Sequence, residues 1–174
     1  MRSSRLSLFL APAFAILACA TSQAPAPPDV PAALRPPAGQ AVYLEALATG
    51  VQIYECSRKT DGSFEWTFKA PEAALADRAG HTIGKHYAGP TWESTDGSSV
   101  VGEVKARDAG PTPSAIPWLL LAAKTNSGSG TFAGAKSIQR VSTTGGVAPK
   151  EPCTDARLKE VARVPYTATY YFYR

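Results

Sequence analysis

The stretch "VQIYECSRKTDGSFEWTFK", residues 51–69, restricts the fold more than any other part of the chain. Val51 and Ile53 fall on one side of an extended backbone, Tyr54 and Cys56 on the other. After Asp61-Gly62, Phe64, Trp66 and Phe68 alternate with Glu65, Thr67 and Lys69. Successive side chains of a strand point to opposite faces, so period two on both sides of an Asp-Gly step reads as a β-hairpin. The pattern recurs. "DRAG" at 77–80 precedes "HTIGKHYAG", "TWES" leads into a second "TDG" at 95–97, and "SVVGEVKA" follows. "AKSIQRVST" and "VPYTATYYFYR" alternate in the same way. "AIPWLLLAAK", 115–124, is a continuous apolar run, which predicts a central strand buried on both faces. Pro117 and the following "NSGSG" leave too few turns for a helix there. Only 154–164 suits a short helical turn. The expectation is a single all-β antiparallel domain, either a barrel or a sandwich.

That domain is expected over 42–174. Residues 1–20 read as a signal peptide, with Arg2 and Arg5 ahead of an uncharged apolar run from Leu6 to Ala18. The run is short of the roughly 20 residues that a membrane-spanning helix needs. Two processing readings stand. "ACA" suits ordinary signal peptidase, and "ILAC" resembles a lipobox that would place a lipid on Cys19. Residues 21–41 carry six prolines and read as an extended, mobile linker. The chain is therefore expected to be exported, either periplasmic or secreted, or lipid-anchored to the cell envelope through Cys19.

Charge and cysteines narrow the partners. Without residues 1–20 there remain 16 basic and 14 acidic residues, a formal +2. No basic run and no basic-aromatic stripe occurs, so nucleic acid is not expected as a partner. Any membrane contact would come only through a lipid on Cys19. In an oxidising compartment Cys56 and Cys153 pair most simply as one disulfide. Two cysteines without nearby histidines make a poor zinc set, and no metal or cofactor is expected.

The motifs of familiar enzymes are missing. H-E-x-x-H, G-x-S-x-G and C-x-x-C do not occur. "GSGTFAGAKS", 128–137, falls short of a phosphate loop because Ala135 stands where glycine should precede Lys136. The remaining candidates centre on "GKHYAGPTWESTDGSSVVG", 84–102. If its two halves pair across Gly89-Pro90, His86 could meet Glu93 or Asp96, a base and its orienting carboxylate. The bland alternative is a histidine bonded within a strand pair beside a core Trp92. Tyr87, Trp92, Trp118 and Arg140 are candidate ligand contacts. Arg140 either pairs on the surface or points inward, where Glu93 or Glu65 could neutralise it.

Taken together, "YEC", "FEWTFKAPEAAL", "HYAGPTWESTDGS", "IPWLLLAAK", "SGSGTFAGAKSIQRVSTTGG" and "VPYTATYYFY" resemble one family across the whole domain. It is the group called domain of unknown function 3455, found in exported bacterial and some fungal proteins. The resemblance implies no activity. A malate dehydrogenase label on some fungal relatives has no counterpart in these residues, since no dinucleotide-binding glycine turn joins a strand to a helix. The expected function is a non-catalytic module of the cell envelope, structural or holding a small molecule or glycan. The alternative is a hydrolase-like acid–base enzyme using His86 with Glu93 or Asp96.

Overall fold

The computed structural model describes residues 24–174, so the processing site and Cys19 lie outside the described residues. Eight strands run in chain order: β1 (Val42–Arg58), β2 (Phe64–Ala76), β3 (Thr82–Tyr87), β4 (Thr91–Ser94), β5 (Ser99–Asp108), β6 (Trp118–Ser127), β7 (Ser137–Gly145) and β8 (Val161–Tyr173). Each pairs antiparallel with the next, and β8 returns to β1, so the sheet closes into a barrel. Closure gives each strand a neighbour on both sides in the body of the barrel. The only helical elements among the described residues are two 3-10 turns, Ala32–Leu34 and Asp155–Arg157. None of the described helices is long and apolar enough to cross a membrane.

The alternation sorts each strand into an inner and an outer face. In β1 the even-numbered residues Ala46, Ala48, Gln52, Tyr54 and Cys56 are buried. In β8 they are Tyr166, Ala168, Tyr170 and Phe172. An eight-stranded barrel has room for its own side chains and little more, so small residues must face large ones. Ala46, Ala48, Ala73 and Ala168 lie in the same core as Trp92, Tyr170, Phe172 and Phe132. Gly102 shows how tight the fit is: a Cβ there would stand 2.9 Å from the Trp92 ring. The opposite face of each strand points outward and carries ion pairs, including Arg163–Glu72 at 2.8 Å, Lys85–Glu93 at 3.1 Å and Lys105–Glu103 at 2.8 Å. The wall around the barrel is therefore charged, a surface suited to water.

One end of the barrel is plugged. The β6–β7 loop drops Phe132 inside, fully buried and 4.7 Å from the Phe172 ring. Asp96, in the β4–β5 turn, latches that loop. Its Oδ1 accepts from Ser98 N at 2.8 Å and Ser98 Oγ at 2.6 Å, and its Oδ2 from Thr131 N at 2.8 Å and Thr131 Oγ1 at 2.7 Å. The Ser98 hydroxyl and then Thr131 hold this carboxyl far below the ordinary Asp value of 3.8. A depressed carboxylate contributes stability above its unfolded pKa and loses it as pH falls below that value. Asp96→Asn is thus expected to lower the urea midpoint at pH 7, with the gap to wild type shrinking below pH 3.8. A gap that stays constant down to pH 2 would mean the charge is not what holds the latch.

The proline-rich segment departs from the expected free linker. Val30 and Leu34 are buried against Leu120 and Val141 on the outer wall, with Ala106, Trp118 and Tyr171 packed beside them. The Leu34 carbonyl accepts from Gln139 Nε2 at 2.6 Å. This strap is why β6 is covered on both faces. Leu119 and Leu121 look into the barrel, and Leu120 lies under the strap.

Candidate functional site

The opposite end of the barrel is open. Above the Phe132 plug come Phe172 and Trp92, whose rings are 6.0 Å apart. Next is His86, stacked on Trp92 at 4.4 Å and edge-on to Tyr170 at 5.1 Å. Above His86 the interior widens into a cavity of about 480 Å³ at the mouth. That volume is in the usual range for small-molecule pockets. Its walls come from several strands and turns at this end. The β1–β2 arm gives Gln52, Tyr54, Phe68 and Pro71, the β3–β4 turn gives Ala88 to Pro90, and β5 and β6 give Val104, Arg107 and Leu119. Ile116, Pro117 and Arg140 complete it.

The register explains how the chain builds this mouth. An irregularity between Ile53 and Tyr54 shifts the β1–β2 pairing, so that Tyr54 faces Phe68. A bulge of this kind bends a strand and re-aims its side chains. β2 pairs with β3 only from Ala73 onward, so residues 64–70 project past β3 as an arm over the opening. Three contacts tie the β1–β2 hairpin to the loop after β7. Tyr54 OH donates to Gly146 O at 2.7 Å, Trp66 Nε1 donates to Glu151 O at 2.8 Å, and Cys56 and Cys153 form a disulfide with 5.4 Å between Cα atoms. Phe68 remains half exposed at the rim.

The electrostatics converge on Arg140. β7 turns Gln139 outward under the strap and Arg140 inward. Its Nε and Nη2 both donate to Pro117 O, at 3.1 and 2.8 Å. None of the ion pairs among the described residues includes Arg140. Glu93 and Glu65, the expected partners, pair instead with Lys85 and Lys59 on the outside. The guanidinium acts on all the titratable groups around it, favouring ionised Tyr54, Tyr166 and Tyr170 and neutral His86. Burial pushes the tyrosines up more strongly, so they stay protonated. Gln52 Nε2, Tyr166 OH and Tyr170 OH are buried without a hydrogen-bond partner of ordinary geometry. Tyr166 is within hydrogen-bonding reach of Gln52 and Tyr170, and Tyr170 of Arg140, but none of these contacts has the distance and angles of a full bond. Buried polar atoms normally find a partner, so three donors left open beside one cationic side chain are an exceptional grouping.

His86 is 2 % exposed, and its Nδ1 bonds Thr91 O at 2.8 Å. A carbonyl only accepts, so Nδ1 carries the proton and Nε2 keeps a lone pair. Burial, more than the nearby Arg140 charge, lowers its pKa to about 3. The ring is neutral at ordinary pH.

The sequence candidates divide accordingly. His86, Trp92 and Arg140 belong to one column leading to the cavity. In the β3–β4 ladder His86 faces Trp92, while Glu93 faces Lys85. Adjacent residues point to opposite faces, so Glu93 lies outside, accepting from Tyr87 OH at 2.7 Å. Asp96 is at the plugged end. The geometry therefore gives His86 neither carboxylate. Trp118 packs beneath the strap, and Tyr87 is on the outer wall. Among the described residues no cluster of three or more His, Cys, Asp or Glu could hold a metal.

Residues 37–174 match the family described as protein of unknown function (DUF3455). The chain belongs to that family. No curated protein and no solved structure matches it. The DUF3455 match takes in every strand of the barrel and every cavity residue named above, and it starts after the strap residues Val30 and Leu34. Sequence reasoning missed Gln52, Arg107, Tyr166 and Tyr170. One signal was there for Tyr166 and Tyr170, which share a face of β8 with Ala168 and Phe172. Two hydroxyls on the apolar face of a strand need an account.

Proposed function

We propose that this DUF3455 protein is an exported binding module that holds one small molecule in the open mouth of its barrel. Eight-stranded barrels are just wide enough for that role, and their mouths are common ligand sites. The observation that carries the reading is a 480 Å³ cavity lined by Arg140 and by Gln52, whose Nε2 is buried and unpartnered, with the open hydroxyls of Tyr166 and Tyr170 close to Arg140. Leaving such a group unsatisfied costs about 1–3 kcal/mol, a cost that a molecule reaching Gln52 and Arg140 would relieve. Export is supported by the basic and apolar leader and by a disulfide, a bond that persists in oxidising compartments. A binding role fits the neutral, buried His86, which has no carboxylate to orient it for proton transfer.

The test is thermal unfolding against a panel of neutral and charged small molecules, with Ala88→Trp as a blocked-mouth control. Ala88 lines the cavity and is exposed, so a larger side chain there fills the opening without entering the core. A ligand at 100 times its Kd adds about 2.7 kcal/mol, several degrees for a domain of this size. At least one molecule is expected to raise the midpoint of wild type and leave Ala88→Trp unmoved. Equal shifts in both proteins would place binding elsewhere.

A further inference from the structure

We propose that the molecule held in this mouth is an organic acid, its carboxylate seated on Arg140 and its apolar body lying between Phe68 and Leu119. The inference rests on the binding reading above and adds the ligand's chemical class.

Charge supports it first. The cavity lining holds Arg140, Arg107 and Lys69 and not one Asp or Glu. Lys69 has a partner, Glu55 at 3.2 Å, whereas neither arginine takes part in an ion pair among the described residues. Arg140 spends its Nε–H and one Nη2–H on Pro117 O. A guanidinium has five N–H donors in a planar fork, so three remain, including both on Nη1. That fork matches the two oxygens of a carboxylate.

Polarity supports it next. The open groups beside Arg140, Gln52 Nε2 and the two tyrosine hydroxyls, are all able to donate. Carboxylate oxygens can use several donors at once. A cation could not approach the guanidinium, and an uncharged sugar would leave that charge unanswered. His86 lines this space, and its Nε2, which keeps a lone pair, suits a hydroxyl on the ligand. The walls supply the last argument. Tyr54, Phe68, Val104, Ile116 and Leu119 form an apolar sleeve above the charge. Such a sleeve favours a ligand with an aromatic or aliphatic body over inorganic phosphate, which has only its charge to offer.

The experiment is calorimetric titration of the disulfide-intact protein with acetate, benzoate, phenylacetate and octanoate. Benzyl alcohol and 1-octanol serve as neutral counterparts, and inorganic phosphate as the bare anion. Benzoate, phenylacetate or octanoate is expected to bind more tightly than acetate or phosphate, and roughly ten- to a hundredfold more tightly than its alcohol. Arg140→Gln should erase the preference for the acid, and Arg140→Lys should keep part of it. Near-ultraviolet circular dichroism, to which the packed Trp92 contributes, verifies that both variants keep the core. If alcohols bind as well as acids, or Arg140→Gln preserves the preference, the acid assignment fails while the cavity reading survives. Phosphate binding more tightly than every acid would equally overturn it. If neither acids nor alcohols bind, the acid assignment falls, and the cavity reading is decided by the thermal panel above.

Discussion

Removing the Cys56–Cys153 bond, as a Cys56→Ala/Cys153→Ala double variant, is expected to lower the unfolding free energy by about 2–5 kcal/mol. The bond spans 97 residues, from the far end of β1 to the loop before β8. A cross-link of that span restricts the unfolded chain strongly, by about 4.7 kcal/mol for a 100-residue loop in the chain-entropy model. β1 and β8 are also neighbours in the sheet, so the bond joins segments the closed barrel brings together in any case. The native state thus accepts it with 5.4 Å between Cα atoms, inside the usual range. Urea unfolding of the variant should show an earlier midpoint, and thermal unfolding a fall of about 10 °C at two to four degrees per kcal/mol. A loss under about 0.5 kcal/mol would show that the unfolded chain is already held at this point, against the chain-entropy account.

Acid is the second strong lever. His86 is neutral in the fold with its pKa lowered from 6.5 to about 3. The unfolded chain takes up a proton on this residue as pH drops through 6.5, and the folded chain does not until near 3. Stability contributed by the neutral ring is therefore complete above pH 6.5 and is lost between those values, at about 1.4 kcal/mol per unit. From pH 6.5 to pH 4 the loss reaches about 3 kcal/mol from this group alone. The groups around it, Trp92, Tyr170 and Arg140, include no carboxylate to stabilise the charged form. Urea unfolding across this window should give a sloping curve for wild type and a flatter one for His86→Phe. In a His81→Gln background, nuclear magnetic resonance should find no imidazole titration in the native protein above pH 5. A native His86 that titrates near 6.5 would contradict the packing on Trp92.

How much of this was legible beforehand depends on which interactions are local. Hairpins announce themselves through neighbouring residues, so Asp61-Gly62 and Asp96-Gly97 marked their turns correctly. Barrel closure is a pairing of Val42–Glu55 with Val161–Tyr173, more than a hundred residues apart, and local alternation leaves barrel and sandwich equally open. β1 shows the same limit within one strand. Its first half, "VYLEALATG", is rich in alanine, a residue depleted in strands. Ala46 and Ala48 are there because the barrel interior needs small side chains opposite large ones.

The site was half visible for a related reason. Alternation separates two faces but does not say which is inside. His86 and Glu93 looked like partners from their spacing, yet the register pairs His86 with Trp92 and puts Glu93 on the other side. Arg140 was noticed, but its answer is a backbone carbonyl, Pro117 O, which no pattern of side chains can reveal. The strap escaped because its composition is averaged over six prolines. Two apolar residues, Val30 and Leu34, are enough to fasten it.

Ala41 and Arg174 exchange backbone hydrogen bonds at 3.1 Å in both directions, at the rim that Phe132 fills. The first described residues, Ala24 to Ala26, lie at that same rim beside Tyr43 and Arg78. A biosensor chip that captures the chain by an affinity tag placed after Arg174 would consequently present the open funnel to the flowing analyte, and a fluorescent reporter appended after Arg174 would sit a full barrel length from whatever enters.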